Sequence, residues 1–151
     1  MDASIIVAII SVIGSFVVIY LSSVKDYFTL KNKVRREQLD KFYIPFYQNY
    51  CAGFLSINKL SEMSLEARSK FLDLFTKNIY LMEPKSQSMY NDFYQAFLNM
   101  LSAYNEEPDY PFEKCSHEFD TIFNNMSNAI LSEYKDILRK CRLPVPLIKT
   151  K

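Results

Sequence analysis

"ASIIVAIISVIGSFVVIYLSSV", residues 3–24, contains 22 residues without a single charge. About 20 apolar residues in a helix match the ~30 Å hydrocarbon core of a bilayer, whereas the apolar part of a signal peptide is only about 7 to 15 residues long. Only Met1 and Asp2 precede the run, with no lysine or arginine, and no A-x-A-like cleavage site follows it. The stretch therefore reads as a retained transmembrane helix. Its flanks give an orientation, because the cytoplasmic ends of spans carry the excess of Lys and Arg. Lys25, Lys31, Lys33, Arg35 and Arg36 all follow the run within twelve positions. The expectation is a single-pass protein of the cell inner (plasma) membrane, with its N-terminus outside and its C-terminal domain in the cytoplasm. Tyr20, Tyr27 and Phe28 fall where aromatic rings suit the inner headgroup layer.

Small residues inside the span sit at Ser4, Ala8, Ser11, Ser15 and Ser22, with Val18 filling the gap, a spacing that keeps them on one helical face. Helices associate in lipid through close backbone approach and hydroxyl bonds, so this seam predicts a homo-oligomeric contact. The alternative is that the serines bond back to carbonyls of their own helix. The five basic residues after the span also have two readings. They contact anionic lipid at the inner leaflet, at on the order of 1 kcal/mol per exposed cation, or they only set topology.

Beyond the span, a chain of 151 residues leaves room for one compact domain. Two glycines, six prolines and stretches rich in Leu, Lys, Glu, Gln and Met, with no strand-like alternation, favour the all-α class. Eleven tyrosines and twelve phenylalanines point to an aromatic core. The domains divide as a transmembrane anchor at 1–24, a helical bundle at 25–143 and a basic C-terminal tail at 144–151. No glycine or proline stands between Val24 and Pro45, so the first helix is expected to run on out of the span, with a kink or a new start at Pro45.

From Pro45 the spacing of Phe46, Tyr50, Phe54, Ile57 and Leu60 predicts helix up to Leu60, then a turn with capping serines at Ser61–Ser64. The next helix buries Leu65, Phe71, Leu72, Phe75, Ile79 and Met82. A further one spans about 86–105, with Met89, Phe93, Phe97, Met100, Leu101 and Tyr104 inward. The last has the clearest pattern: Phe112, Cys115, Phe119, Ile122, Met126, Ile130, Tyr134, Ile137 and Cys141 recur at threes and fours. Acidic residues in its first turns and Arg139, Lys140 and Arg142 in its last complement the helix dipole. Short connections make neighbours antiparallel, so the prediction is an antiparallel bundle of about four helices, whose basic end approaches the membrane beside the basic residues after the span.

Cys51, Cys115 and Cys141 show no C-x-x-C spacing, and Cys115 and Cys141 lie roughly 39 Å apart if both ride the last helix, so free thiols in a reducing compartment are expected. Charge alternates in blocks: basic around residues 25–41, acidic over 83–120, and basic again from Lys135. No glycine-rich phosphate loop, G-x-S-x-G or H-E-x-x-H occurs. The single histidine, His117, shares a helical face with Glu113 and Asp120, which is either a weak acid-base or metal group or a solvated surface. The aromatic residues of "KFYIPFYQNY", 41–50, follow the basic residues instead of alternating with them, so they read as core packing and not as a nucleic-acid surface. No enzyme activity, metal or cofactor is expected.

Arg36–Tyr47, "REQLDKFYIPFY", resembles the basic, leucine, aromatic and proline pattern that follows the N-terminal anchor in small uncharacterised single-pass membrane proteins of low-GC bacteria and their prophages. The resemblance implies a setting in phage exclusion or host defence, and carries no active site. Together these readings predict a membrane-anchored helical protein that works through a protein partner or self-association. A permeabilising oligomer and a membrane-tethered enzyme using His117, Glu113 and Asp120 are the alternatives.

Overall fold

The computed structural model describes residues 3–147, with side chains from Val12 onward, and every regular element in it is helical. Ser4, Ala8 and Ser11 therefore lie outside the described side chains, and residues 148–151 of the basic tail lie outside the described residues. Two compact units emerge, residues 1–35 and 36–151.

In the first unit, α1 (Ala3–Gln38) begins, and it is unbroken through residue 35 and on to Gln38. Among the described residues it is the one helix long and apolar enough to cross a membrane. Its large apolar side chains from Val12 to Leu21 are 51% to 69% exposed. Ser23 Oγ donates to the carbonyl of Ile19 at 3.0 Å and Thr29 Oγ1 to that of Lys25 at 2.9 Å, the back-bonding open to any helical hydroxyl.

In the second unit, α1 passes directly into a π-helical turn, Leu39–Tyr43, and then α2 (Ile44–Ala52). Pro45 brings no N–H and its ring crowds the carbonyl four residues back. The chain answers not with a break at Pro45 but with a wider turn before it, in which the Ile44 N–H bonds to the carbonyl of Leu39. Leu39, Phe42, Tyr43, Phe46 and Tyr50 all point into the core.

Helix α2 then stops at Ala52, eight residues short of the expected end. Phe54 N–H donates to Cys51 O at 3.0 Å and Leu55 N–H to Tyr50 O at 3.1 Å, the paired bonds that close a helix C-terminus. The residue in the left-handed position is Phe54, with φ 50°, and not the adjacent Gly53. Gly53 sits in close packing instead: a Cβ there would meet Met63 Cε at 3.1 Å and Leu55 Cγ at 3.2 Å, so these side chains would have to give by a few tenths of an ångström. Phe54 and Ile57, expected in the core, are 66% and 77% exposed, while Leu55 between them is buried.

A 3₁₀ turn, Leu60–Glu62, leads to α3 (Leu65–Asn78), whose N-cap Ser64 accepts from the Ala67 N–H at 3.2 Å. Leu65 is half exposed at the start of α3, and Phe71 and Phe75 are its core residues. A second 3₁₀ turn, Ile79–Leu81, precedes the short α4 (Pro84–Ser88) and then α5 (Tyr90–Tyr104). The helix expected over 86–105 is thus two, divided at Met89. The last helix is α6 (Phe112–Lys140), with Pro111 at its N-cap and twelve buried residues along its length. α5 packs along α6, and α6 also meets α4, the π-helical turn and the Leu60–Glu62 turn.

The core is built largely from phenylalanine rings. Phe75 meets Phe46 at 5.9 Å and Phe93 at 5.0 Å between centroids, Phe93 meets Phe119 at 5.6 Å, and Phe71 meets Phe123 at 5.2 Å in an edge-on contact. Each such pair adds roughly 0.5–1.5 kcal/mol beyond the area it buries.

Candidate functional site

Three groups of residues invite a functional reading. The first is the basic run on α1. Lys25, Lys31, Lys33 and Arg36 are exposed and Arg35 is half-buried. Among the described residues, no ion pair joins any of the five to a carboxylate. The ion pairs present lie elsewhere, as in Lys41–Glu37 at 2.8 Å and Lys70–Glu66 at 2.9 Å. Lys31 Nζ instead sits 5.5 Å from the centre of the Tyr27 ring and 3.4 Å from its hydroxyl, and Arg35 reaches Asn32 Oδ1 at 3.5 Å. Charges left open by acidic neighbours remain available to anionic surfaces. Ser15 and Ser22 of the proposed seam are exposed on the same helix.

The second group surrounds a cleft of about 500 Å³ between the Leu60–Glu62 turn, the end of α5 and the first half of α6. Lys59, Ser61, Glu62, Tyr104, Glu113, His117 and Asp120 line it. The histidine and its two acidic neighbours on the helix are therefore in one place, but they do not form one group. Asp120 is 9% exposed and turned to Ser61, taking the backbone N–H at 2.9 Å on Oδ1 and the hydroxyl at 2.6 Å on Oδ2. Both of its oxygens are spent in holding the turn to α6, and hydrogen bonds to a charged group contribute roughly 1.5–3 kcal/mol. His117 and Glu113 are exposed, and no hydrogen bond joins them to each other or to Asp120 among the described residues. There too, no three His, Cys, Asp or Glu side chains are placed to hold a metal ion. Behind the cleft, buried Arg68 lays its guanidinium over the Tyr104 ring at 4.3 Å, and Tyr104 OH donates to Ser61 O at 3.3 Å.

The third group escaped the reading of the sequence. Glu133, on α6, accepts from Ser86 N–H at 2.9 Å, from Ser86 Oγ at 2.6 Å and from Tyr43 OH at 3.1 Å. Tyr43 OH in turn accepts from Glu83 N–H at 3.0 Å, and Gln38 Nε2 donates to Leu81 O at 3.0 Å and to Glu83 Oε1 at 3.2 Å. Glu83, the residue before α4, places no side chain on the free N–H groups of that short helix, and Glu133 serves one of them from across the fold. Burial raises the Glu133 carboxyl above the ordinary carboxylate range against the pull of its three donors, and the nearby Glu83 adds to the rise. Burial, followed by the charge of Glu133, drives the Tyr43 phenol far upward as well. A signal was available: Glu133 lies three after Ile130 and four before Ile137, on the apolar face of the clearest helix in the chain.

All three cysteines are free, with Cys51 exposed, Cys115 buried and Cys141 half-buried. Compared with known protein families, with curated proteins and with solved structures, the chain gives no match.

Proposed function

We propose that this chain is a single-pass membrane-anchored helical protein that acts at the cytoplasmic face of the inner membrane through a protein partner or through self-association. In this reading residues 25–143 work as an antiparallel bundle of about four helices. The observation that carries it is the character of α1: an apolar stretch whose large side chains from Val12 to Leu21 are exposed, followed by five basic residues, four of them exposed. Water does not favour eight large apolar side chains left bare, whereas lipid does. The resemblance of Arg36–Tyr47 to the segment that follows the anchor in prophage-associated membrane proteins supplies the setting, phage exclusion or another host-defence role.

The exposed Cys51 makes the topology measurable. In intact spheroplasts a membrane-impermeant maleimide should leave Cys51 unlabelled until the cells are lysed, and the chain should resist carbonate extraction from membranes. Labelling from outside, or release by carbonate, would overturn the reading.

Oligomerisation through the seam, a spacing read from the sequence, is supported by Ser15 and Ser22 standing exposed on the unbroken α1. Replacing Ser11 and Ser15 with leucine should then abolish crosslinked oligomers in membranes. The same face also supports a second reading, a permeabilising assembly of spans. Induced expression that collapses a potential-sensitive dye signal, with the signal restored in the Ser11→Leu, Ser15→Leu variant, would favour it over partner binding.

A further inference from the structure

From Lys25 onward the helix α1 becomes charged, yet one of its faces stays apolar. Tyr27, Leu30 and Val34 are 58%, 63% and 47% exposed in the middle of the basic run. Their spacing of three and four residues continues backward through Ser23 to Tyr20, Phe16 and Ile13, which are 67%, 69% and 57% exposed. Over residues 13–34 the face thus repeats every seven residues without interruption, on an unbroken helix. A straight helix drifts by about 20° per heptad, so a strict seven-residue repeat suits a helix wound round a partner in a left-handed supercoil. Ser23 is the one small residue of this face. Its hydroxyl is satisfied by the Ile19 carbonyl at 3.0 Å, so backbones can approach there without a bare donor between them.

The charges beside the face indicate what covers it. Asp26 and Lys31 flank it on opposite sides, five positions apart. That offset is the one at which side chains pair across two parallel helices in register. Among the described residues, neither Asp26 nor Lys31 forms an ion pair within its own chain. A second copy in the same orientation satisfies both, Asp26 of each chain meeting Lys31 of the other. Anchoring in one membrane supplies that orientation and a high effective concentration, so a short seam is enough.

The serine face does not serve in this stretch. Its spacing, carried past Ser22, reaches Lys25, Thr29, Asn32 and Arg36, and copies packed on it would set Lys25 against Lys25 and Arg36 against Arg36. Thr29 and Asn32 are turned to their own helix, Thr29 Oγ1 on the Lys25 carbonyl at 2.9 Å and Asn32 Oδ1 accepting from Arg35 at 3.5 Å.

We propose that α1 pairs with a second copy of this chain through Tyr20, Tyr27, Leu30 and Val34, as a parallel coiled coil that runs past Lys25 and is flanked by Asp26–Lys31 pairs between the copies. The proposal rests on the reading of α1 as a membrane anchor, which sets the copies parallel, and it names the residues of self-association.

Single cysteines placed along residues 25–36 of a Cys51→Ser chain, treated in membranes with a short bismaleimide, test it. Crosslinked dimers should peak at Tyr27→Cys, Leu30→Cys and Val34→Cys, several-fold above Lys25→Cys, Thr29→Cys and Arg36→Cys. A peak at the last three puts the contact on the serine face, and a flat profile means that the helices are not paired; either overturns the proposal. Carbonate extraction of the same membranes separates the two readings. A chain that stays in the pellet with a flat profile keeps its anchor and loses the coiled coil, whereas a chain that is released loses both. Charge exchange gives a second arm: in the Leu30→Cys chain, Asp26→Lys or Lys31→Asp alone should lower the dimer yield several-fold, and the two together should restore it. A double variant that does not recover overturns the pairing of Asp26 with Lys31.

Discussion

Phe54 is held in left-handed backbone geometry, which costs a residue with a Cβ roughly 1–2 kcal/mol. Its ring regains little of that, being 66% exposed. Glu106 (φ 58°) and Arg142 (φ 57°) close α5 and the end of α6 in the same way, with Glu107 N–H on Ser102 O at 3.2 Å and Leu143 N–H on Leu138 O at 2.9 Å. A chain with only two glycines closes three helices without placing one in the left-handed position. Replacing any of the three with glycine removes the strain while adding backbone freedom to the unfolded chain, for a net stabilisation of about 0.5–1 kcal/mol. Denaturant midpoints should therefore rise in Phe54→Gly, Glu106→Gly and Arg142→Gly; a fall in Phe54→Gly would show that its ring contributes packing that its exposure does not reveal. These positions were not legible in the sequence, since nothing local marks a phenylalanine for φ above zero. The nearby Gly53 points to the wrong residue, because it answers to the closeness of Met63 and Leu55.

Among the elements, α6 follows its sequence pattern closely because its apolar residues recur over 29 residues and face neighbours along the whole length. The exception is its first residue: Phe112 is 47% exposed and packs edge-to-face with Tyr104, at 5.2 Å between centroids. Phe93 of α5 is the opposite case, fully buried between Phe75, Phe119 and Phe123. Phe93→Ala should cost about 3–5 kcal/mol, a large share of the roughly 5–15 kcal/mol that holds a typical domain together. Phe112→Ala should cost less than about 1 kcal/mol. Thermal unfolding of the two variants compares them directly, and equal losses would contradict this account of the core. Where the pattern misled, at Phe54 and Ile57, helical spacing continued past a point at which the backbone had already closed. Apolar spacing reports what a helix would bury, not where its last carbonyls find partners.

At the scale of the whole molecule, Glu133 sets a pH dependence of definite sign. Its carboxyl titrates above the unfolded value, so between the two values the folded state binds more protons than the unfolded one. Its contribution to stability is therefore full at low pH and is lost as pH rises through the raised value. Glu66 shifts the other way beside Lys70, but that pair is exposed and screened by solvent, and its effect is small. Unfolding midpoints of the wild-type chain should fall as pH rises from the acid side towards neutral, and Glu133→Gln should flatten that part of the profile. An unchanged slope in the variant would assign the effect to another group.

The sequence by itself determined the helical class, the long apolar N-terminal helix and most of the buried face of α6. Each of these depends on composition or on a periodicity that local geometry enforces. Only the tertiary structure decided that Asp120 serves Ser61 and not His117, that the expected helix over 86–105 divides at Met89, and that Glu133 meets Tyr43 and Ser86. Such contacts join residues 40 to 90 positions apart, and no local preference specifies which carboxylate a buried hydroxyl will reach. They are settled when the helices pack, because a buried donor or acceptor must then find a partner wherever the fold brings one.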